Sequence, residues 1–145
     1  MEYKLREAEE SDLDEIQRIE EDSFPDPFSR WNFLYYYLNH PLTFLVAEGK
    51  GEILGYLVGV RSFKKITIAS IAVKVEYRRR NIATRLIEHL IQKVKGKVRG
   101  IELQVRVSNK PAIMFYEKLG FICTKVLPYY YQNGEDALLY YKSLE

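Results

Sequence analysis

Polar and apolar residues alternate over positions 3–8, Tyr-Lys-Leu-Arg-Glu-Ala, and predict a short first strand. Leu13, Ile16 and Ile19 then recur at helical spacing behind Ser11, a candidate N-cap, so a helix with one buried stripe is expected. The run Ser23-Phe24-Pro25-Asp26-Pro27-Phe28-Ser29 ends it with two prolines, and Ser29 is placed to cap a second helix through Trp31, Phe33, Leu34, Tyr37 and Leu38. Strands follow over 43–47 and 52–60, joined around Gly49-Lys50-Gly51, a short hairpin signal. A strand over 65–75 precedes a helix marked by Ile82, Leu86, Ile87, Leu90, Ile91 and Val94, with Gly96 as its stop. Another strand covers 101–107. Ser108 or Asn109 caps the next helix, with Pro111 in its first turn and Gly120 at its end. Strands over 121–127 and 137–141 complete the chain, separated by Pro128-Tyr129-Tyr130-Tyr131-Gln132-Asn133-Gly134-Glu135-Asp136.

A strand, helix, strand succession over 65–107 calls for a parallel pair with a right-handed crossover, which sets the class as mixed α/β. The pattern contains no internal repeat, low-complexity tract or linker. One domain over residues 1–145 is therefore expected, and that length suffices for a real core.

The junction at residues 71–84 carries the first chemistry. Its apolar β-branched run ends at Val75, and Arg78, Arg79 and Arg80 follow shortly before the helix that starts near Ile82. A helix N-terminus offers unpaired N–H groups and the positive end of the helix dipole, so this turn suits a phosphorylated ligand. Asn81 suits it too, because asparagine tolerates positive φ better than most residues. A solvated basic turn is the plainer reading of the three arginines alone.

Composition narrows the class further. Lys plus Arg total 22 against 20 for Asp plus Glu, a net charge of +2 that gives no global drive toward nucleic acid or membrane. The single Cys123 cannot form an internal disulfide and fits a reducing, cytoplasmic setting. No apolar run approaches the roughly 20 residues that span a bilayer, and the N-terminus lacks the apolar region of a signal peptide. No His or Cys cluster has metal-ligand spacing, so no metal is expected.

In sequence order, Arg78-x-x-Asn81-x-Ala83 resembles the R/Q-x-x-G-x-G/A pyrophosphate loop of the GNAT N-acetyltransferase superfamily, the loop that binds acetyl-CoA there. Asn81 stands where glycine is usual, which implies weaker or rearranged phosphate binding. Leu103-Gln104-Val105-Arg106-Val107-Ser108-Asn109-Lys110-Pro111-Ala112, with Tyr116 and Gly120-Phe121, is similar to the second GNAT motif, so the resemblance covers nearly the whole chain. Phe24-Pro25-Asp26, the Leu-x-Val-Arg-x-Ser-Asn string and the ending Tyr130-Tyr131-Gln132-Asn133-Gly134-Glu135-Asp136-Ala137 look most like RimI-like and archaeal protein N-terminal acetyltransferases.

Acetyl transfer requires a neutral amine beside a thioester, a donor for the developing oxyanion and an acid for the leaving thiolate. The resemblance implies that backbone at Ile71, Ala72 and Val73 pairs with the pantetheine arm, and that Arg78, Arg79, Arg80, Asn81, Ile82, Ala83 and Thr84 cradle the pyrophosphate. It also implies that Asn109 contacts the cofactor and that Tyr116 protonates the sulfur. Phe24, Pro25 and Phe28 would face Tyr130 and Tyr131 across a slot for a peptide N-terminus. The plainer alternatives are a helix connector plugged into the core, a core tyrosine and hairpin packing.

The pattern departs at the base. RimI-like enzymes carry glutamate, and some relatives histidine, at the position of Gln104, and a neutral amide accepts no proton. The amine decides how much this matters: an α-amino group near pKa 7.7–8.0 is roughly a tenth neutral at pH 7, whereas a lysine near 10.4 is neutral in less than about one part in a thousand. A missing base therefore harms an α-amine substrate far less. Asp26, in the loop, and Glu102, on the face of Gln104 by two-residue alternation, are the candidate replacements through a water; both also read as solvated surface carboxylates.

The expectation is an acetyl-CoA-dependent N-acetyltransferase that acetylates peptide or protein N-termini, ribosomal proteins included, by direct attack as a monomer or homodimer, without nucleic-acid or membrane partners. The alternatives are a small-amine or lysine acetyltransferase and a non-catalytic acetyl-CoA-sensing module.

Overall fold

Seven strands and four α-helices occur along the computed structural model, which describes residues 1–145. They are β1 (Lys4–Glu7), α1 (Leu13–Ser23), α2 (Arg30–Asn39), β2 (Phe44–Gly49), β3 (Glu52–Ser62), β4 (Lys65–Val73), α3 (Ile82–Val94), β5 (Gly100–Arg106), α4 (Lys110–Lys118), β6 (Ile122–Leu127) and β7 (Ala137–Ser143). The strand order is β1-β2-β3-β4-β5-β7-β6. The β4–β5 pair is parallel, whereas β1–β2, β2–β3, β5–β7 and β6–β7 include no parallel pair, so the sheet is mixed as expected. Backbone packing separates the chain into two compact units, Met1–Arg61 with Ile68–Val94 and Ser62–Thr67 with Lys95–Glu145.

The first unit is built on the stripe of α1. Leu13, Ile16 and Ile19 pack with Phe33 of α2, Phe44 and Val46 of β2, Ile53, Tyr56 and Val58 of β3, and Ala72 of β4. Phe33 meets the Tyr56 ring edge-on at 5.7 Å, a geometry that adds about 0.5–1.5 kcal/mol to simple burial. The expected cap Ser11 does not start α1. A single 3-10 turn, Glu10–Asp12, precedes the helix, and Asp12 accepts from the Glu9 N–H at 2.7 Å while Arg6 grips its carboxylate at 2.8 and 3.1 Å. Asp12 stands at the N-cap position of α1 without a side-chain cap bond, its carboxylate being taken by the Glu9 N–H and Arg6.

Ser29 caps α2 as expected, accepting from the Asn32 N–H at 3.2 Å. The burial of α2 differs from the expectation. Only Phe33 is fully covered, and Trp31 (79%) and Leu38 (65%) lie exposed, because apolar residues surround this helix instead of forming one stripe. The β2–β3 hairpin closes with Lys50 at φ 54° and Gly51 at φ 76°, the left-handed pair that a two-residue turn between twisted strands requires.

Strand β4 ends at Val73, two residues before the expected end. A 3-10 turn over Val75–Tyr77 intervenes, held by Glu52, which accepts from Lys74 Nζ at 2.6 Å and Tyr77 OH at 3.0 Å. Two donors on one carboxylate override the β-preference of an exposed valine. Helix α3 buries Ile82, Leu86, Ile87, Leu90 and Val94, as its spacing predicts, and Gly96 at φ 82° follows its end.

In the second unit, β7 pairs antiparallel with β5 from Gly100↔Ser143 to Arg106↔Ala137, and with β6 on its other side. Lys65, Ile66 and Thr67 pair in parallel with Gly100, Ile101 and Glu102. Glycine at 100 leaves room for the Tyr141 ring, since a Cβ would fall 2.1 Å from its hydroxyl. Asn109, not Ser108, caps α4, accepting from the Ala112 N–H at 3.3 Å, with Pro111 in the first turn.

Candidate active site

The first unit carries the turn and the strand end. Arg79 and Asn81 both adopt left-handed conformations, at φ 64° and 62°, and the Arg85 N–H bonds the Asn81 carbonyl at 2.9 Å to begin α3. The positive φ expected of Asn81 is therefore present. Left-handed residues beside a helix start turn successive N–H groups toward one side, and this donor set fits a diphosphate. The three arginines divide. Arg78 Nε donates to the Val73 carbonyl at 2.9 Å and its NH2 reaches Ser23 Oγ at 3.3 Å, so this guanidinium braces the turn against β4 and α1. Arg79 and Arg80 lie exposed, with Arg80 5.9 Å from the Tyr77 ring centre.

Ile71 is half-buried, and Ala72 and Val73 are buried. Arg78 takes one lone pair of the Val73 carbonyl at the strand end. Gly55 lets β3 approach this strand closely, since a Cβ there would sit 2.9 Å from the Ala72 carbonyl oxygen.

The loop between α1 and α2 is held from beneath. Phe28 packs edge-on against Phe33 at 6.1 Å and Tyr36 at 5.8 Å, and Phe24 also packs on the core. Pro25 and Asp26 are exposed. Both backbone polar groups of Phe28 are taken by α1: its N–H donates to Glu20 Oε2 at 2.9 Å, and its C=O accepts from Gln17 Nε2 at 2.8 Å. Glu20 is only 2% exposed, and its other oxygen accepts from Ser70 Oγ at 2.6 Å and from the Tyr56 hydroxyl. Burial and the Glu20 charge push the Tyr56 phenol well above its ordinary range.

The second unit holds the remaining candidates. Glu102, Gln104 and Arg106 are half-buried on one face of β5, opposite buried Leu103 and Val105, as the alternation predicts. Glu102 is tied to Lys65 Nζ at 2.9 Å. Tyr116 is 8% exposed, stacked edge-on with Phe115 at 5.2 Å and Phe121 at 5.6 Å, and burial raises its phenol so that it keeps its proton throughout the physiological range.

The tyrosine loop is braced by residues outside the candidate set. Arg106 lies 3.9 Å from the Tyr131 ring centre and reaches Glu135 Oε1 at 3.2 Å; Glu135 Oε2 accepts from the Ser108 N–H at 2.8 Å. The rings of Tyr130 and Tyr131 meet edge-on at 5.0 Å, with Tyr130 about half exposed. Hydrogen bonding from Ser108, joined by the Arg106 charge, holds the Glu135 carboxyl below its ordinary range. Sequence reasoning missed Glu20, Tyr56, Ser70 and Glu135 as supports. One signal was available: Glu20 falls seven residues after Leu13 and four after Ile16, on the buried stripe of α1.

The chain belongs to the acetyltransferase (GNAT) family, whose model matches residues 13–121, and enzymes of this family use acetyl-CoA. Within the family the chain is similar to N-terminal acetyltransferases. It is 37% identical to an N-alpha-acetyltransferase of Sulfurisphaera tokodaii, over 95% of this chain and 91% of the relative. Ard1 from Thermoplasma volcanium superposes with a TM-score of 0.92 at 26% identity, covering 97% of each chain. The ribosomal-protein-S18-alanine N-acetyltransferase from Escherichia coli superposes at 0.87 with 27% identity, covering 99% of this chain and 95% of that one. No helix of the chain is long and apolar enough to cross a membrane.

Proposed function

We propose that residues 1–145 act as one N-acetyltransferase domain that moves the acetyl group of acetyl-CoA to the α-amine of peptide or protein N-termini by direct attack, without an acyl-enzyme. The observation that carries the cofactor assignment is the turn at residues 78–84, where left-handed Arg79 and Asn81 lead into the first N–H groups of α3. The similarity to N-alpha-acetyltransferases over nearly the whole length supports the substrate class.

When bound, acetyl-CoA supplies the activated thioester. In this reading, Arg79 to Thr84 hold its pyrophosphate, and Ile71 and Ala72 offer strand-end backbone to the pantetheine arm. Asn109 contacts the cofactor from the start of α4. Tyr116 Oη gives its proton to the leaving sulfur; a phenol is protonated at neutral pH and so holds the proton this step needs. Gln104 accepts no proton. Asp26 is favoured over Glu102 as the acceptor, acting through water on an amine that is already about a tenth neutral at pH 7. Phe24, Pro25 and Phe28 in the first unit, and Tyr130 and Tyr131 in the second, are the residues assigned to the peptide. Ribosomal proteins are included among the substrates on the strength of the Escherichia coli relative.

Incubation with acetyl-CoA and a library of free-amine and α-blocked peptides tests this. Acetylation of free α-amines that disappears on blocking is expected. Acetylation confined to lysine side chains or polyamines would reject the substrate class, and coenzyme binding without thiol release for any amine would make the protein a sensor.

A further inference from the structure

The Glu20 carboxylate is buried without a cationic partner, and the reaction outlined above does not use it. We propose that Glu20 is a positioning residue that fixes the peptide-facing loop of residues 24–29 against the cofactor strand β4; this rests on the reading of that loop and strand given above.

A buried carboxylate is costly unless its lone pairs are satisfied. Here they are divided among the α1–α2 loop, β3 and β4 of the first unit. Oε2 accepts from the Phe28 N–H at 2.9 Å, and Oε1 accepts from Ser70 Oγ at 2.6 Å and from the Tyr56 hydroxyl, itself 3.1 Å from Ser70 Oγ. Ser70 immediately precedes Ile71 in β4, and Phe28 anchors the end of the loop. One side chain on a rigid helix therefore fixes the separation between the strand end assigned to the cofactor and the loop assigned to the peptide. Gln17, three residues earlier on α1, holds the Phe28 carbonyl at 2.8 Å, so the loop has both backbone groups of this residue anchored to the same helix.

The chemistry distinguishes positioning from charge. Glutamine at this position can accept from the Phe28 N–H with its carbonyl and donate to the two hydroxyls with its amide, because both hydroxyls can turn to accept. Leucine matches the volume and satisfies none of them, leaving a buried N–H without a partner.

Steady-state kinetics with acetyl-CoA and the best free-amine peptide of the library test this. Glu20→Leu is expected to raise the peptide KM by roughly 10-fold or more while the acetyl-CoA KM stays within about twofold, since small displacements of a positioning element act selectively on the group it orients. Glu20→Gln should restore the peptide KM to within about threefold of the parent. An unchanged peptide KM in Glu20→Leu, or equal rises in both KM values with no rescue by glutamine, would overturn the proposal. Should Glu20→Leu fail to fold, Ser70→Ala carries the same test at smaller amplitude. Amide exchange of Phe28 provides a readout free of the substrate assignment: in the parent it should be slow, and in Glu20→Leu roughly 10-fold or more faster relative to the α1 amides. If no peptide is acetylated but Phe28 exchange responds in this way, the substrate reading fails and the positioning stands; unchanged exchange would sink the positioning itself.

Discussion

The Arg106 guanidinium covers the ring of Tyr131 at 3.9 Å while reaching Glu135 at 3.2 Å, so one cation supports the tyrosine loop both through a π-face and through an ion pair. Tyr131 is thereby occupied on one side, and Tyr130 is the more exposed of the two rings. Arg106→Ala is expected to raise the peptide KM several-fold with little change in the acetyl-CoA KM, measured by steady-state kinetics in both substrates. Equal effects on both would place the residue's influence elsewhere.

Acid sensitivity follows from the same loop. Glu135 has a folded-state pKa below its ordinary value of 4.5, so it binds a proton less readily when folded. Its contribution to stability is complete above the unfolded value and is lost as pH falls through the lower folded value. Thermal unfolding followed between pH 6 and about pH 3 should show a smaller acid-induced drop in Tm for Glu135→Gln than for the parent. Parallel curves would remove Glu135 from the acid response.

Tyr116→Phe keeps the ring stacked on Phe121 and removes only the proton. Turnover is expected to fall by about 10² to 10⁴, with acetyl-CoA binding by calorimetry and Tm nearly unchanged. An undiminished kcat would deprive the phenol of its acid role.

Asn109 combines a cap with an assigned cofactor contact, and two variants separate them. Asn109→Ala should cost about 1 kcal/mol by chemical denaturation, whereas Asn109→Asp keeps the cap and the stability. A weakened acetyl-CoA affinity in the aspartate variant, at parental stability, would isolate the cofactor contact; full affinity would leave Asn109 a cap alone.

Gln104→Glu places a carboxylate where the amide cannot act. For the parent, kcat/KM should climb as pH rises toward the amine pKa near 7.7–8.0, and the variant should flatten that climb by up to about tenfold at pH 7, the gain available from an amine roughly a tenth neutral. A pH profile identical to the parent's would show that a base at this position has nothing to add.

Much of this arrangement can be read from residue order, for identifiable reasons. The α3 stripe and the Lys50-Gly51 turn follow from local rules, periodicity and left-handed geometry, that tertiary contacts leave intact. Asn81 was legible because few other side chains tolerate that backbone. The misses have a common cause in specific side-chain partners that periodicity does not reveal. Ser11 falls inside a 3-10 turn that Arg6 and the Glu9 N–H close on the Asp12 carboxylate, and Val75 leaves the strand because Glu52 draws in Lys74 and Tyr77. Glu20 sits in an acidic run, Glu20-Glu21-Asp22, where composition alone suggests solvent; only Tyr56, Ser70 and the Phe28 amide make its burial tolerable.

The turn at Arg79 and Asn81 keeps side chains where glycine would leave the backbone pliant, and Arg78 and Glu52 pin the segments leading into it. Under the proposed assignment of this turn to the diphosphate, little freedom remains to be surrendered when a coenzyme arrives. Its capture should therefore register in calorimetry as release of heat with slight entropic opposition, the thermodynamic mark of a mould already set.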